Sequence, residues 1–302
     1  SLIPPKELSC GRQHLSYGGE VVRALANPDL EKLAYGPETP RGQRGLSMFK
    51  MGEWMRDAFK LNRDQRNLRI FCPDETYSNQ LQAVFEETDR AWQWPIESWD
   101  EDMSRDGRVI ELLSENLLFG MLHGYTVTGR HAMFPTYEAF SQVVSSMADQ
   151  YCKYVYASQG VHFRKPVPAC NVVLSSLLER QDHNGYSHQN PSFLGAMLEK
   201  HPKIISAYLP ADGNSTLVYT ERAYADRDKL NILVAGKKDL PQWLTLDEAR
   251  QQAKDGVMVW DFASDENPDV VLVGCGDYVT QEAMAALVLI RELLPRVRIR
   301  FV

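Results

Sequence analysis

The segment from Gln181 to Gln189 holds the densest group of polar side chains in the sequence. It contains His183 and His188, five positions apart, with Gln181 and Asn184 beside them. Two imidazoles can act as acid and base near neutral pH, and amide groups can orient substrate oxygens. A hydrogen-bonded turn followed by a helix explains the same residues about as well. A metal site is disfavoured because no third ligand is spaced nearby.

Other candidate side chains follow short apolar runs in the sequence, and the segment 181–189 does so too. Ser78 follows the run 68–72, and Glu115 follows the run 109–113. If these runs are strands of an open α/β sheet, their carboxyl ends are where ligands gather. Glu115 also has a plain structural explanation, because the dipole favours a glutamate in the first turn of a helix.

The elements that must position these residues alternate along the chain. Apolar runs at 68–72, 109–113, 172–177, 204–209 and 231–235 read as strands, and helical spacing is found at 48–59, 115–123, 137–156 and 215–224. Strands separated by helices indicate a mostly parallel sheet covered on both faces. We therefore predict the α/β fold class.

Composition shifts divide the chain into three parts. Residues 1–45 read as a connector rich in Pro, Gly and charge, residues 46–240 as the main α/β domain, and residues 241–302 as the start of a second α/β domain. The second domain has too few elements to bury both faces of a sheet. We expect that residues beyond Val302 or a partner chain cover it.

The bulk composition excludes some functions. With a formal net charge of -7 over 302 residues, the chain lacks the basic surface that nucleic-acid binding needs. Its 5 cysteines form no CxxC pattern, so neither a disulfide framework nor a zinc site is indicated. No apolar run is long enough to span a membrane. We expect a cytoplasmic protein.

Four stretches carry a resemblance to a known family. RQDHNGYSHQNP, SENLLFGMLHGYTVTGRHAMFPTYEAF, PDETYSNQL and FRKP resemble the corresponding stretches of D-xylulose 5-phosphate/D-fructose 6-phosphate phosphoketolases. The resemblance extends from about Arg66 to Val302. It implies a fold of the thiamine-diphosphate-binding, pyrimidine-domain type. Transketolases share the outline more distantly.

The resemblance implies a role for each candidate residue. Glu115 matches the catalytic glutamate that bonds the aminopyrimidine ring of thiamine diphosphate. Tyr137 and Phe140 match the aromatic pocket around that ring, although an aromatic pair three apart is more often plain core. The residues implied for acid–base catalysis are His183 and His188. The residues implied for binding the sugar phosphate are Ser78, Gln181, Asn184 and Lys237. A solvated surface lysine is the alternative for Lys237.

Some features depart from the family pattern. Gln80 and Gln159 stand where relatives often carry basic residues, which affects the expected details of phosphate binding. The sequence has no Gly-Asp-Gly motif, which in the family helps hold the diphosphate through Mg²⁺. We expect the metal ligands in an N-terminal domain that this sequence lacks. We also expect the chain alone to be inactive, because each site of the family is shared across a dimer.

The resemblance implies cleavage of xylulose 5-phosphate or fructose 6-phosphate by inorganic phosphate. The products are acetyl phosphate and a shortened aldose phosphate, formed through a thiamine-bound two-carbon intermediate that is dehydrated. Two alternatives remain. One is transketolase-like transfer of the two-carbon unit to an aldose, and the other is a non-catalytic fragment that acts as an assembly module.

Overall fold

The computed structural model describes residues 24–36, 41–73, 76–175 and 192–302, with the isolated positions Pro5 and Glu7. The helices in these ranges are α1 (Leu30–Leu33), α2 (Ser47–Leu61), α3 (Glu115–Val127), α4 (Glu138–Ser141), α5 (Ser145–Ser158), α6 (Ser192–Leu198), α7 (Gly213–Ala225), α8 (Leu246–Asp255) and α9 (Asp277–Leu293). Short 3-10 helices cover Gln82–Glu86, Gln142–Val144 and Asp261–Ala263.

The strands in the described ranges are β1 (Arg44–Leu46), β2 (Leu68–Cys72), β3 (Arg90–Ala91), β4 (Met103–Ser104), β5 (Val109–Glu111), β6 (His131–Thr136), β7 (Cys170–Leu174), β8 (Ile205–Tyr208), β9 (Leu230–Val234), β10 (Asp239–Pro241), β11 (Val270–Leu272) and β12 (Ile299–Phe301). Among them, 8 form one sheet in the order β4-β3-β5-β2-β6-β7-β9-β8. Every pairing within this sheet is parallel.

The centre of the sheet is buried on both faces. All residues of β6, β7 and β9 are buried, as expected for strands that helices cover on each side. Side chains alternate between two apolar clusters, so that Val173 packs in one, and Val172 and Leu174 pack in the other. This three-layer arrangement confirms the predicted α/β class.

Each helical layer fills one of these clusters. The first cluster contains Trp54 of α2 and Leu217 of α7, and the second contains Phe119 of α3 and Tyr151 of α5. Trp54 also stacks on Tyr224, with ring centroids 5.0 Å apart. The helices are therefore anchored to the sheet by large side chains, which fixes the strand ends between them.

Two smaller sheets lie outside the main one. β1 and β10 pair antiparallel, with Arg44 opposite Pro241, and we call this pair the β1–β10 ribbon. β11 and β12 pair in parallel beside α9. Trp260 and Phe301 belong to the same apolar cluster as α2 and α7. The segment after residue 240 thus shares packing with the main sheet.

Strand β6 is the main element that the sequence pattern did not predict. Its sequence, HAMFPT, contains a proline, which argues against a central strand because proline cannot donate to the ladder. Its pairing to β2 extends from His131 to Met133, so Pro135 lies beyond that ladder and pairs in register with β7 alone. The proline is tolerated for this reason.

Candidate functional site

The described candidate residues all lie at one edge of the main sheet. Ser78 follows β2, Glu115 follows β5, Tyr137 follows β6, and Lys237 follows β9. These strands fall within the contiguous order β5-β2-β6-β7-β9, so their carboxyl ends meet along one edge. The structure therefore brings together candidate residues that are up to about 160 positions apart in sequence.

Four candidate residues lie outside the described residues. They follow β7 in the chain, and they are Gln181, His183, Asn184 and His188. Their predicted roles stay predictions. The strand that precedes them is described, and its last residue, Leu174, pairs with Thr136 on β6 and with Val234 on β9.

Glu115 is the first residue of α3 and is half-buried. The Ser114 hydroxyl accepts a hydrogen bond from the Leu117 N–H at 3.4 Å, which fixes the start of the helix. No hydrogen-bond or ion-pair partner for the Glu115 carboxylate is found among the residues described. The helix start thus holds a carboxyl group that can bond an incoming ligand.

Several exposed apolar side chains lie close to Glu115 along the chain. Leu113 is 89% exposed and Leu117 is 54% exposed. Further exposed apolar residues nearby in the chain are Leu112 and Met121. Several large apolar side chains exposed within ten residues of one another indicate a binding face, because soluble surfaces seldom leave such side chains together in water.

Lys237 and Tyr137 form a buried cation–π contact. The Lys237 Nζ lies 3.2 Å from the centroid of the Tyr137 ring, and each residue is 8% exposed. Tyr137 also stacks on Phe140, with centroids 6.1 Å apart and an interplanar angle of 21°. Lys237 is therefore not the solvated surface lysine that the sequence left open. Its charge is held at the sheet edge against an aromatic pair.

Two hydrogen bonds fix the loop that carries Ser78, one to a carboxylate on β5 and one to an amide side chain of the loop itself. The Glu111 carboxylate accepts a hydrogen bond from the Thr76 N–H at 2.6 Å and also pairs with Arg90. The Ser175 hydroxyl donates to the Asn79 side-chain oxygen at 2.5 Å. Ser78 is half-buried between these two anchors. The loop is tied on one side to β5 and on the other to β7.

The two glutamines that depart from the family pattern lie in different places. Gln80 follows the Ser78 loop directly and has a positive φ of 61°. Gln159 is exposed and caps the C-terminal end of α5. Because α5 runs back from the carboxyl edge toward the start of β7, Gln159 lies near the opposite edge in this chain. Only Gln80 adjoins the other described candidates.

Two acidic residues at the site had no clear signal in the sequence. Glu111 lies inside β5, where it reads as an ordinary strand residue, and Asp277 begins α9. Asp277 is 2% exposed, and burial raises its pKa to about 6. Its Oδ2 accepts a hydrogen bond from the Gly236 N–H, beside Lys237, at 2.6 Å. Such tertiary contacts between distant residues cannot be read from local spacing.

Comparison with known proteins identifies the family. The model of D-xylulose 5-phosphate/D-fructose 6-phosphate phosphoketolase matches residues 49–226, and that of the XFP C-terminal domain matches residues 237–302. The chain belongs to the phosphoketolase family. A probable phosphoketolase of Clostridium acetobutylicum is 43% identical over 290 residues, and the match covers 94% of this chain. One of Bradyrhizobium diazoefficiens is 39% identical over 306 residues and 100% of this chain.

The chain spans only part of these phosphoketolases. The matches cover 36% of the Clostridium protein and 38% of the Bradyrhizobium protein. The chain therefore corresponds to just over a third of such a protein.

Transketolases of low sequence identity are among the solved structures that share this fold. A mutant transketolase of Pichia stipitis in complex with xylulose 5-phosphate has a TM-score of 0.66 at 19% identity, covering 91% of this chain and 37% of that chain. A split-gene transketolase, described as an inactive beta4 tetramer, has a TM-score of 0.51 at 15% identity, covering 86% of this chain and 71% of that chain. These likenesses establish the fold of this phosphoketolase chain.

Two further observations concern the described ranges of the phosphoketolase chain. No group of three or more His, Cys, Asp or Glu side chains in them is arranged to hold a metal ion. Likewise, none of the helices in them is long and apolar enough to cross a membrane.

Proposed function

We propose that this chain forms part of a phosphoketolase that cleaves xylulose 5-phosphate or fructose 6-phosphate with inorganic phosphate. The products would be acetyl phosphate and an aldose phosphate, and the enzyme would be a lyase of carbohydrate metabolism in the cytoplasm. The observation that carries the proposal is the family match over most of the chain. The clustering of Glu115, Tyr137 and Lys237 at one sheet edge supports it.

The residues at this edge fit the pyrimidine half of thiamine diphosphate. Glu115 offers a half-buried carboxyl group, and Tyr137 and Phe140 offer stacked rings. β2 lies between β5 and β6, so the carboxyl ends of β5 and β6, which precede Glu115 and Tyr137, are about 10 Å apart across the sheet. This spacing suits a ligand that lies across the edge. When bound, thiamine diphosphate supplies the carbon nucleophile and electron sink for cleaving the bond beside the ketone.

Each protein group would then have one task. Glu115 would hold a proton against the aminopyrimidine ring nitrogen, and Tyr137 would exclude water from the ring face. Lys237 would attract the sugar phosphate through its positive charge, and the Ser78 hydroxyl would donate a hydrogen bond to it. Mg²⁺ and the diphosphate would be held by other residues, since this sequence lacks the Gly-Asp-Gly motif.

The residues after β7 complete the proposed site. His183 and His188 would move protons while the two-carbon fragment loses water, and Gln181 and Asn184 would orient its oxygens. This assignment rests on the match of RQDHNGYSHQNP to the family and on the position of the segment beyond Leu174.

We also propose a homodimer or larger assembly and a three-part organisation. The exposed apolar side chains beside Glu115 support an interface at the site, because burying them would remove them from water. The proposed parts are a connector (1–45), a pyrimidine-binding domain (46–240) and the start of a C-terminal domain (241–302). The family matches, which break between residues 226 and 237, support the second boundary.

The decisive experiment measures acetyl phosphate formed by the protein expressed from its whole reading frame. The assay would contain thiamine diphosphate, Mg²⁺, inorganic phosphate and either ketose phosphate. Acetyl phosphate that appears only when all are present would support the proposal. Transfer of the two-carbon unit to an aldose without acetyl phosphate would overturn it in favour of a transketolase-like enzyme.

The non-catalytic alternative has one specific support. The split-gene transketolase with the same fold is described as inactive, and this chain covers 71% of it. If the folded product of the whole reading frame forms neither acetyl phosphate nor transfer product, the assembly role would replace the enzymatic one.

A further inference from the structure

A carboxylate from α9 reaches the loop that carries Lys237. Asp277 Oδ2 accepts a hydrogen bond from the Gly236 N–H at 2.6 Å, and Gly236 directly precedes Lys237. The two residues are 41 positions apart. The other oxygen of Asp277, Oδ1, accepts the Tyr278 N–H at 2.8 Å. The bond to Tyr278 stays within the first turn of α9, whereas the bond to Gly236 joins α9 to the segment that follows β9.

Gly236 is fixed on more than one side. Its carbonyl accepts the N–H of Met48, at the start of α2, at 3.1 Å. A Cβ added at Gly236 would lie 2.7 Å from Asp277 Oδ2 and 2.9 Å from Leu240 Cδ1. The absence of a side chain therefore allows the carboxylate to approach the backbone closely. The backbone just before Lys237 is held by α2 and α9 together.

The position of this backbone determines where the lysine side chain can go. Lys237 is 8% exposed, and its Nζ lies 3.2 Å from the Tyr137 ring centroid. A lysine has four rotatable side-chain bonds, so its contact with one ring depends on where its Cα is anchored. The Gly236 anchor supplies that constraint.

We propose that Asp277 is a positioning residue for Lys237. Through Asp277, the segment after residue 240 sets the orientation of the ammonium group that binds the sugar phosphate. The inference rests on the proposed function for the role of Lys237, while the positioning itself is a property of the chain. Asp277 touches neither substrate nor cofactor in this scheme. It acts on binding through Gly236.

The test compares Asp277→Ala and Asp277→Asn with Asp265→Asn as a matched control. Asp265 also accepts a backbone hydrogen bond, from the Ile299 N–H at 2.9 Å, and pairs with Arg291. It supports the same C-terminal segment without touching Gly236. Asp277→Asn keeps the side-chain shape and serves if the alanine variant fails to fold.

The first readout is the rate at which the Lys237 amine is methylated by formaldehyde and a hydride donor, followed by peptide mass spectrometry. Exposed Lys254 is the internal standard. Asp277→Ala should raise the Lys237 rate by about tenfold relative to Lys254, because the buried amine loses its fixed position over the ring. Asp265→Asn should leave the ratio unchanged. Equal ratios in the two variants would overturn the proposal.

The second readout uses the protein expressed from its whole reading frame. Asp277→Ala, which removes the acceptor for the Gly236 N–H, should raise the KM for the sugar phosphate by about tenfold with kcat changed less than about threefold, because only ground-state binding is weakened. A fall in kcat with constant KM would overturn the proposed route through Lys237. The methylation result does not depend on catalysis, so it separates failure of the positioning role from failure of the proposed function.

Discussion

The Ser175 hydroxyl lies 2.5 Å from the side-chain oxygen of Asn79, to which it donates a hydrogen bond. Both residues are fully buried. Asn79 also lies within 3.7 Å of the Cys72 sulfur through its amide nitrogen. One amide thus connects the end of β7, the end of β2 and the loop that carries Ser78.

Replacing Ser175 by alanine should therefore weaken both the fold and this loop. We expect a loss of about 1–3 kcal/mol in the free energy of unfolding, because a buried amide oxygen loses its donor. Urea unfolding monitored by circular dichroism measures the loss. Ser158→Ala is the control, since the Ser158 hydroxyl donates only to Val155 in its own helix, and it should cost under about 1 kcal/mol. Equal losses would refute the bridging role.

Glu115→Gln should abolish most acetyl phosphate formation without unfolding the protein. The carboxyl group is half-buried at the start of α3, and its proton is the one we assign to the cofactor ring. We expect the rate to fall by about 10²- to 10⁴-fold, the usual contribution of a positioned acid or base. The measurement is the initial rate with saturating thiamine diphosphate. Exposed Glu292→Gln should remain near wild type, and near wild-type activity in Glu115→Gln would reject the assignment.

Lys237→Met should weaken sugar phosphate binding while keeping the packing against Tyr137. Methionine retains most of the aliphatic stem but not the charge that the ring holds at 3.2 Å. We expect the KM for the ketose phosphate to rise by about 10- to 100-fold, the usual range for a lost charge-assisted contact. Steady-state kinetics measures this, with Lys254→Met as the surface control. An unchanged KM would show that Lys237 does not meet the phosphate.

The buried carboxyl of Asp277 predicts a pH dependence of stability. Burial is the largest cause that raises its pKa, to about 6, and repulsion from Asp212 adds to the effect. Asp212 is the N-cap residue of α7, and Lys237 follows Gly236, whose N–H donates to Asp277. The folded pKa lies above the ordinary value of 3.8, so the folded state holds this proton more tightly than the unfolded chain. The contribution to stability is complete below about pH 4 and is lost as pH rises through about 6.

The comparison with Asp277→Asn isolates this contribution. The quantity to follow is the difference in the free energy of unfolding, wild type minus variant. This difference should fall by up to about 3 kcal/mol between pH 4 and pH 7. Urea unfolding at a series of pH values measures it. Asp265→Asn should show little change over this range, because the hydrogen bond from Ile299 lowers the pKa of Asp265 and its pH-dependent contribution lies mostly below about pH 4. A difference that stays constant with pH would refute the prediction for Asp277.

Leu113→Glu should disrupt the proposed self-association. This side chain is 89% exposed beside Glu115, and a charge there would oppose burial against a second copy. Analytical ultracentrifugation should show a weaker dimer, with at least a tenfold higher dissociation constant by an order-of-magnitude estimate. Tyr156→Ser is the control, since Tyr156 is 71% exposed on α5. An unchanged dimer would place the interface elsewhere.

Local pattern predicted those elements whose composition agrees with their position. The run 68–72 is β2 as predicted, and helical spacing at 48–59 marks most of α2. Strand β6 was missed because Pro135 contradicts the usual composition of a central strand. The long helix predicted over 137–156 is interrupted, with α4 and a 3-10 turn before α5 begins at Ser145. These deviations arise from tertiary pairing that overrides local preference.

The candidate site was predictable to the extent that it follows strand ends. Ser78 and Glu115 stand just after apolar runs, whereas Lys237 was predicted from the family resemblance, and the sheet order places all three on one edge. The contacts that hold them were not predictable in the same way. Glu111 and Asp277 act on residues 35 and 41 positions away, and no local period encodes such a distance.

The β1–β10 ribbon has a consequence for how the chain acquires its shape during synthesis. Arg44 bonds Asp239 across 195 positions, and β10 begins two residues after Lys237. Such a non-local pairing carries a large loop-closure cost and forms only after the intervening residues have been made. During synthesis, the segment around residue 44 therefore stays unpaired until nearly 200 further residues have been added to the chain. We expect the lysine end of the site to be its last part to be completed.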